Sequence, residues 1–247
     1  PGTEQVDFGA ALAARLGYTP VYLRYNTGQH TSDNGLALAL QLEQLARHWP
    51  VPLQEITVLA HSMGGLVTRS AVAQARLQAL QWPAHLQNIV FLGTPHHGAP
   101  LERAGHWVDQ LLGTTPFSAP FARLAQLRSA GITDLRYGHV LAADWQGRDR
   151  FRRTPDSRVP VPLPDGVACY TVAATTAGQR SLLADRLVGD GLVPLRSALG
   201  QHDEAARTLA FAKPAQWIAY RTHHMALLHS PAVAQQVEHW LAAAPTV

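Results

Sequence analysis

The chain has 247 residues, 47% hydrophobic and 15% charged, which excludes a disordered chain and leaves ample length for one large α/β core. Its formal net charge is only +3, and apart from Lys213 the basic residues are arginines, clustered only at Arg148, Arg150, Arg152 and Arg153. One short basic run reads as a solvated loop, so nucleic acid is not an expected partner, and no apolar stretch reaches the ~20 residues of a membrane-crossing helix.

In chain order, residues 7–17 predict a helix through Phe8, Leu12 and Leu16, with Gly17 as its stop. Pro20 to Tyr25 predicts a strand, followed by a polar loop holding Asn26 and His30. Ser32 or Asp33 is placed to cap a helix running to about Trp49. Ile56 to Ala60 is a short β-branched strand, and Met63 to about Leu80 reads as a helix. Asn88 to Leu92 is the next strand, ending in Gly93-Thr94-Pro95-His96-His97-Gly98. Strands separated by helices imply βαβ units and a mostly parallel sheet.

Between about 100 and 164 that alternation stops, and an insertion of short helices over the sheet's carboxyl edge is expected, within one domain spanning 1–247. It carries Trp107, Val108, Leu111, Leu112, Phe117, Phe121, Leu124 and Leu127, which suit core packing or an apolar acyl pocket. The sheet resumes at Val167 to Ala173, and Gln216 to Tyr220 is the last strand. The final helix has Ser230 as cap and Pro231 at its first position. The lone cysteine, Cys169, excludes an internal disulfide and reads as a small core residue.

The chemistry centres on Ala60-His61-Ser62-Met63-Gly64-Gly65. A serine on a strand-to-helix turn is a nucleophile elbow, with Oγ standing clear of the sheet; a chance turn with a helix-capping serine is the plain alternative. Gly64 is expected where a side chain would meet crossing backbone, and Gly65 where the helix packs close. A serine nucleophile needs a base and an orienting acid, and open α/β sheets gather such groups beyond the carboxyl ends of their strands. Asp190, in the tight turn Gly189-Asp190-Gly191, is the favoured acid over Asp185. His224, after the last strand, is the favoured base over His223 and His229. The Met63 N–H is the first oxyanion donor.

His61 is expected behind the elbow. His96 and His97 suit a loop at the mouth of the site better than a metal centre, since adjacent histidines without cysteine pairs or carboxylates lack ligand spacing. His61, His96, His97, Asn26 and His30 are candidate substrate contacts, although loop capping explains Asn26 and His30 equally well. No metal or organic cofactor is expected.

Together with Leu92-Gly93-Thr94-Pro95-His96-His97-Gly98, Gly189-Asp190-Gly191-Leu192-Val193-Pro194 and the closing His224, Leu227 and Leu228, the elbow resembles the α/β-hydrolase superfamily. More narrowly it resembles the lipase/esterase branch that includes inositol-deacylase-like and triacylglycerol-lipase-like proteins. The resemblance implies a serine carboxylic ester hydrolase acting on a small-molecule ester or lipid through an acyl-enzyme. Ser62 would be nucleophile, Asp190 acid, His224 base and Met63 oxyanion donor. It also implies strands and a His-Gly oxyanion loop upstream of Pro1; the sequence opens at Pro1 without an initiator methionine or a recognisable signal peptide, so the true N-terminus is expected further upstream. A cytoplasmic location is expected only if that upstream segment lacks a signal peptide. An acyltransferase of the same fold and a non-catalytic binding protein are the alternatives.

Overall fold

The computed structural model describes residues 8–99, 129–147, 156–178 and 189–243. Four strands form one parallel sheet in the order β1-β2-β3-β4: β1 Ile56–His61, β2 Leu86–Leu92, β3 Ala168–Thr175 and β4 Gln216–Tyr220. The helices are α1 Phe8–Leu16, α2 Thr31–His48, α3 Met63–Leu77, α4 Ala130–Tyr137, the short α5 Leu195–Ala198 and α6 Pro231–Ala243.

Because side chains alternate along a strand, the apolar run of β2 serves both faces of the sheet. Val90 and Leu92 pack with Val233, Val237 and Trp240 of α6 and with Leu12 of α1. Ile89 and Phe91 pack on the other face with Ala39 of α2 and with Ala71, Val72 and Ala75 of α3. Each fully buried Leu, Ile, Val or Phe in these layers contributes about 1.5–3 kcal/mol. A third cluster lies beyond the carboxyl edge, where Met63 and Leu66 of α3 meet Ile132, Leu135, Val140, Val193 and Leu195. The described part of the predicted insertion, α4 and the 3-10 turn Ala142–Asp144, thus sits beside the start of α3. Its aromatic and leucine residues at 107–127 lie outside the described residues, as does the basic run at 148–153.

Two expectations need correction. Residues 20–25 form no strand, and Val21 and Tyr22 are 62% and 61% exposed. β-branched and aromatic residues favour a pleated ladder, but the described residues offer this segment no ladder partner. The cap of α2 also differs: the helix begins at Thr31, and Asp134 of α4 accepts the Thr31 N–H at 2.7 Å. A carboxylate 103 residues away in sequence satisfies the helix end in place of Ser32 or Asp33. By contrast α6 begins as expected, with Ser230 Oγ accepting the Val233 N–H and Pro231 in the first turn.

The two glycines after the elbow also divide. Among the described residues a Cβ at Gly64 would meet only the Tyr25 hydroxyl, at 3.9 Å, and no crossing backbone that requires glycine there. At Gly65 a Cβ would stand 2.8 Å from Thr94 Cβ and closer still to the rest of that buried side chain. Gly65 is what lets α3 lie against the loop after β2. Gly65→Ala should therefore destabilise the protein by about 1–3 kcal/mol through overpacking, seen as a lower urea midpoint at unchanged slope.

Candidate active site

The carboxyl ends of the four parallel strands lie along one edge of the sheet, and the site is assembled from the segments leaving them. β1 and β2 end in register, His61 opposite Leu92. At the next residue the chain turns sharply: Ser62 has φ 54° and ψ −124°, which only a residue held from outside adopts. The restraint is visible, since the Ser62 N–H donates to Leu92 O at 2.9 Å and the Ser62 carbonyl accepts the Gly65 N–H at 3.0 Å. The turn places Ser62 at the N-terminus of α3, where the Met63 N–H, as the first of the helix, has no intrahelical acceptor. The partial positive charge of that helix end favours negative charge developing beside it.

Beyond β3, the Thr176 N–H donates to Gly189 O at 3.2 Å and leads into the Gly-Asp-Gly turn. Asp190 is 2% exposed, and its Oδ1 accepts the Leu192 and Val193 N–H groups at 2.9 and 2.8 Å. Its Oδ2 faces His224 Nδ1 at 2.6 Å, and the His224 N–H donates to the Asp190 carbonyl at 3.3 Å. The imidazole, also 2% exposed, opens the 3-10 turn His224–Leu228 after β4. With Asp190 ionised and accepting, Nδ1 carries the proton and Nε2 becomes the basic nitrogen. Gly93 makes room for this ring: it has φ +57°, and a Cβ there would lie 3.1 Å from His224 Nδ1 and 2.8 Å from Leu227 Cδ1. Ser62 Oγ is buried and makes no hydrogen bond among the described residues.

Of the rival bases, it is His224 and not His223 whose ring meets Asp190. The rival acid Asp185 lies outside the described residues. The His61 ring centroid lies 4.7 Å from that of His224, and its Nε2 donates to the His224 carbonyl at 3.2 Å. Burial pushes the His61 pKa down to about 4, with His224 adding to the effect, so it acts as a neutral clamp on the loop.

The other sequence candidates have partners of their own. His96 is fully buried, edge-on to Phe91 at 4.9 Å. The His97 N–H donates to Ser197 Oγ at 3.1 Å, and its ring is 5.0 Å from that of His202. Asn26 Oδ1 accepts the Gly28 N–H, and its carbonyl accepts Asn34 Nδ2. His30 stacks on Trp145 at 3.6 Å and meets the buried Asp134, which also binds His139.

Sequence reasoning missed this Asp134 group, because nothing local links residues 30, 134 and 139. It also missed Tyr25, whose hydroxyl lies near Gly64 and whose pKa burial pushes up to about 12. Burial pushes the pKa of the free Cys169 thiol up to about 12. Among the described residues no three His, Cys, Asp or Glu side chains are arranged to hold a metal ion, and no helix is long and apolar enough to cross a membrane.

With this geometry in hand, comparison with known proteins places the fold. Residues 26–135 match a family model described as a domain of unknown function, DUF7379. No curated protein matches in sequence. Among solved structures, the mature form of the Bacillus licheniformis lipase BlEst2 superposes with a TM-score of 0.57 at 17% identity, covering 95% of this chain and 84% of that one. The Legionella pneumophila phospholipase PlaB gives 0.54 at 14% identity, over 97% of this chain and 57% of that one. Aspergillus fumigatus lipase B gives 0.52 at 12% identity, over 97% and 50%. The chain thus spans most of the Bacillus lipase and about half of the other two. Its parallel sheet flanked by helices has the architecture of these lipase-type α/β-hydrolases.

Proposed function

We propose that the chain is a serine hydrolase that cleaves carboxylic esters, small or lipid, through an acyl-enzyme. The observation that carries this reading is the buried 2.6 Å contact between His224 Nδ1 and Asp190 Oδ2, on the same sheet edge as a serine in a strained elbow. In the proposed reaction Ser62 Oγ attacks the ester carbonyl carbon while His224 Nε2 takes the hydroxyl proton. Asp190 holds the tautomer and stabilises the imidazolium. The carbonyl π electrons move to oxygen, and the Met63 N–H donates to that oxyanion. Collapse of the tetrahedral intermediate breaks the C–O bond, and the alcohol leaves with the proton from His224. Water, deprotonated by the same nitrogen, then frees the carboxylic acid and restores Ser62. The lipase and phospholipase names of the structural neighbours support an ester or lipid substrate.

The test is covalent labelling of the full-length protein with a fluorophosphonate probe. Wild type should label and turn over p-nitrophenyl esters. Ser62→Ala should lose labelling entirely and lower kcat by about 10⁶-fold. Labelling that persists in the variant would remove Ser62 from the nucleophile role.

A further inference from the structure

Arg69 lies two turns into α3 and is 7% exposed, yet no carboxylate among the described residues lies within ion-pair distance of it. Its Nη1 donates to His96 O at 3.4 Å and its Nη2 to Val161 O at 2.7 Å, while Nε–H has no acceptor among the described residues. The carboxylate whose field reaches it, Asp144, is engaged elsewhere. Asp144 Oδ2 accepts the Val140 and Leu141 N–H groups, and Oδ1 accepts the Val159 N–H. Burial pushes the Arg69 pKa down to about 10, and the like charge of Arg158 adds to it against the weaker pull of Asp144. A guanidinium taken out of water without a counter-ion is costly, and a structural tie between two carbonyls would need only a neutral donor.

This side chain lines a cavity of about 310 Å³ between α3 and residues 160–164, over the outer face of β2. Apart from Arg76 the other walls are apolar, including Val72, Ala73, Phe91, Leu141 and Pro162. Arg76, at the same cavity, has a half-exposed side chain and only a loose 3.8 Å contact with the exposed Asp165. None of Ser62, Asp190 or His224 lines the cavity, so it is separate from the candidate active site. Its volume is within the range of small-molecule sites, and its chemistry is one buried cation set against hydrocarbon.

We propose that this cavity binds an amphiphilic carboxylate, its head paired with Arg69 and its chain lying along Val72, Phe91 and Leu141. Two of the five guanidinium N–H donors are used by carbonyls, and the remaining edge suits the two oxygens of a carboxylate. A bare anion would leave the apolar walls wet, and an uncharged chain would leave the guanidinium without its counter-ion. The site stands independently of the proposed catalysis, and an acid released by ester cleavage would be one source of its ligand.

The experiment titrates sodium decanoate into the full chain carrying Ser62→Ala, which removes turnover, with binding read by calorimetry and by the rise in Tm. Arg69→Gln and Ala73→Phe, each added to that background, should weaken decanoate binding at least tenfold, the first by removing the charge and the second by filling the cavity. Inorganic phosphate and decanol should each bind at least tenfold more weakly than decanoate. If Arg69→Gln does not fold, Ala73→Phe alone decides, since it leaves the guanidinium in place. Absence of decanoate binding, unchanged affinity in Ala73→Phe, or equal affinity for phosphate or decanol would each overturn the proposal.

Discussion

Asp190→Asn should lower kcat on a short-chain p-nitrophenyl ester by about 10⁴-fold with little change in KM or in the far-UV circular dichroism spectrum. The expectation follows from how the carboxylate is held. Two backbone N–H groups converge on Oδ1, so an asparagine in this place keeps its carbonyl oxygen there. Its amide group then turns toward His224 Nδ1, where the carboxylate Oδ2 stood 2.6 Å away. An amide N–H donates, so the ring must present a lone pair at Nδ1 and carry its proton on Nε2. The basic nitrogen then faces the wrong way, and Ser62 has nothing to give its proton to. The fold should survive, because the loop keeps both backbone bonds and residue 190 stays buried. His223→Ala is the matched control and should retain activity near wild type. A loss below tenfold in Asp190→Asn would mean that the His224–Asp190 contact is structural and that catalysis, if any, runs through another base.

The second large effect is on stability in acid. Burial depresses the pKa of His61 and of His97 to about 4 and that of His96 well below its ordinary value, while the unfolded chain keeps all three near 6.5. Between those limits the unfolded chain binds more protons than the folded one. The stability these neutral rings contribute is therefore complete above pH ~6.5 and is lost as the pH falls toward 4. A tenfold weaker hold on the proton in the folded chain corresponds to about 1.4 kcal/mol, so His61 and His97 alone account for several kcal/mol by pH ~4, a large part of a typical total of about 5–15 kcal/mol. Urea midpoints should be flat from pH 8 to 7 and fall steeply from 6.5 to 4. His96→Phe should make that fall shallower, since a phenyl ring keeps the edge-on contact with Phe91 and cannot take a proton. The slope with pH is the readout, because the larger ring alters packing at every pH alike. An unchanged slope would show that His96 does not resist protonation in the fold.

What the sequence made legible is what short-range physics determines. β1, the turn at Ser62 and the start of α3 are encoded within fourteen consecutive residues, so the elbow could be read without knowing anything distant. Asp190 and His224 were legible for a different reason. Parallel βαβ topology sends the segments after successive strands to one edge, and the order of the residues along the chain then suffices. The failures are all long-range. The strand propensity of residues 20–25 is real, but propensity does not say whether a ladder partner exists. The cap of α2 comes from Asp134, and no local pattern links the two. Arg69 carries no local sign of burial in the sequence, yet its Nη2 donates to Val161 O and it shares a cavity with residues 160–164. His96 lies in the loop after β2 as read, but its ring contacts with Phe91 and Phe211 are again long-range and were not foreseen.

The backbone at Ser62 has a further consequence, for the way such a chain changes over generations. A positive φ is uncomfortable for serine and natural for glycine, so the elbow carries strain on the order of 1–3 kcal/mol that a glycine there would release. A lineage that used this fold only to bind would gain stability from the first substitution to glycine at position 62, and nothing would oppose it. Under the proposed mechanism, the reaction is what holds serine at this position against that gradient.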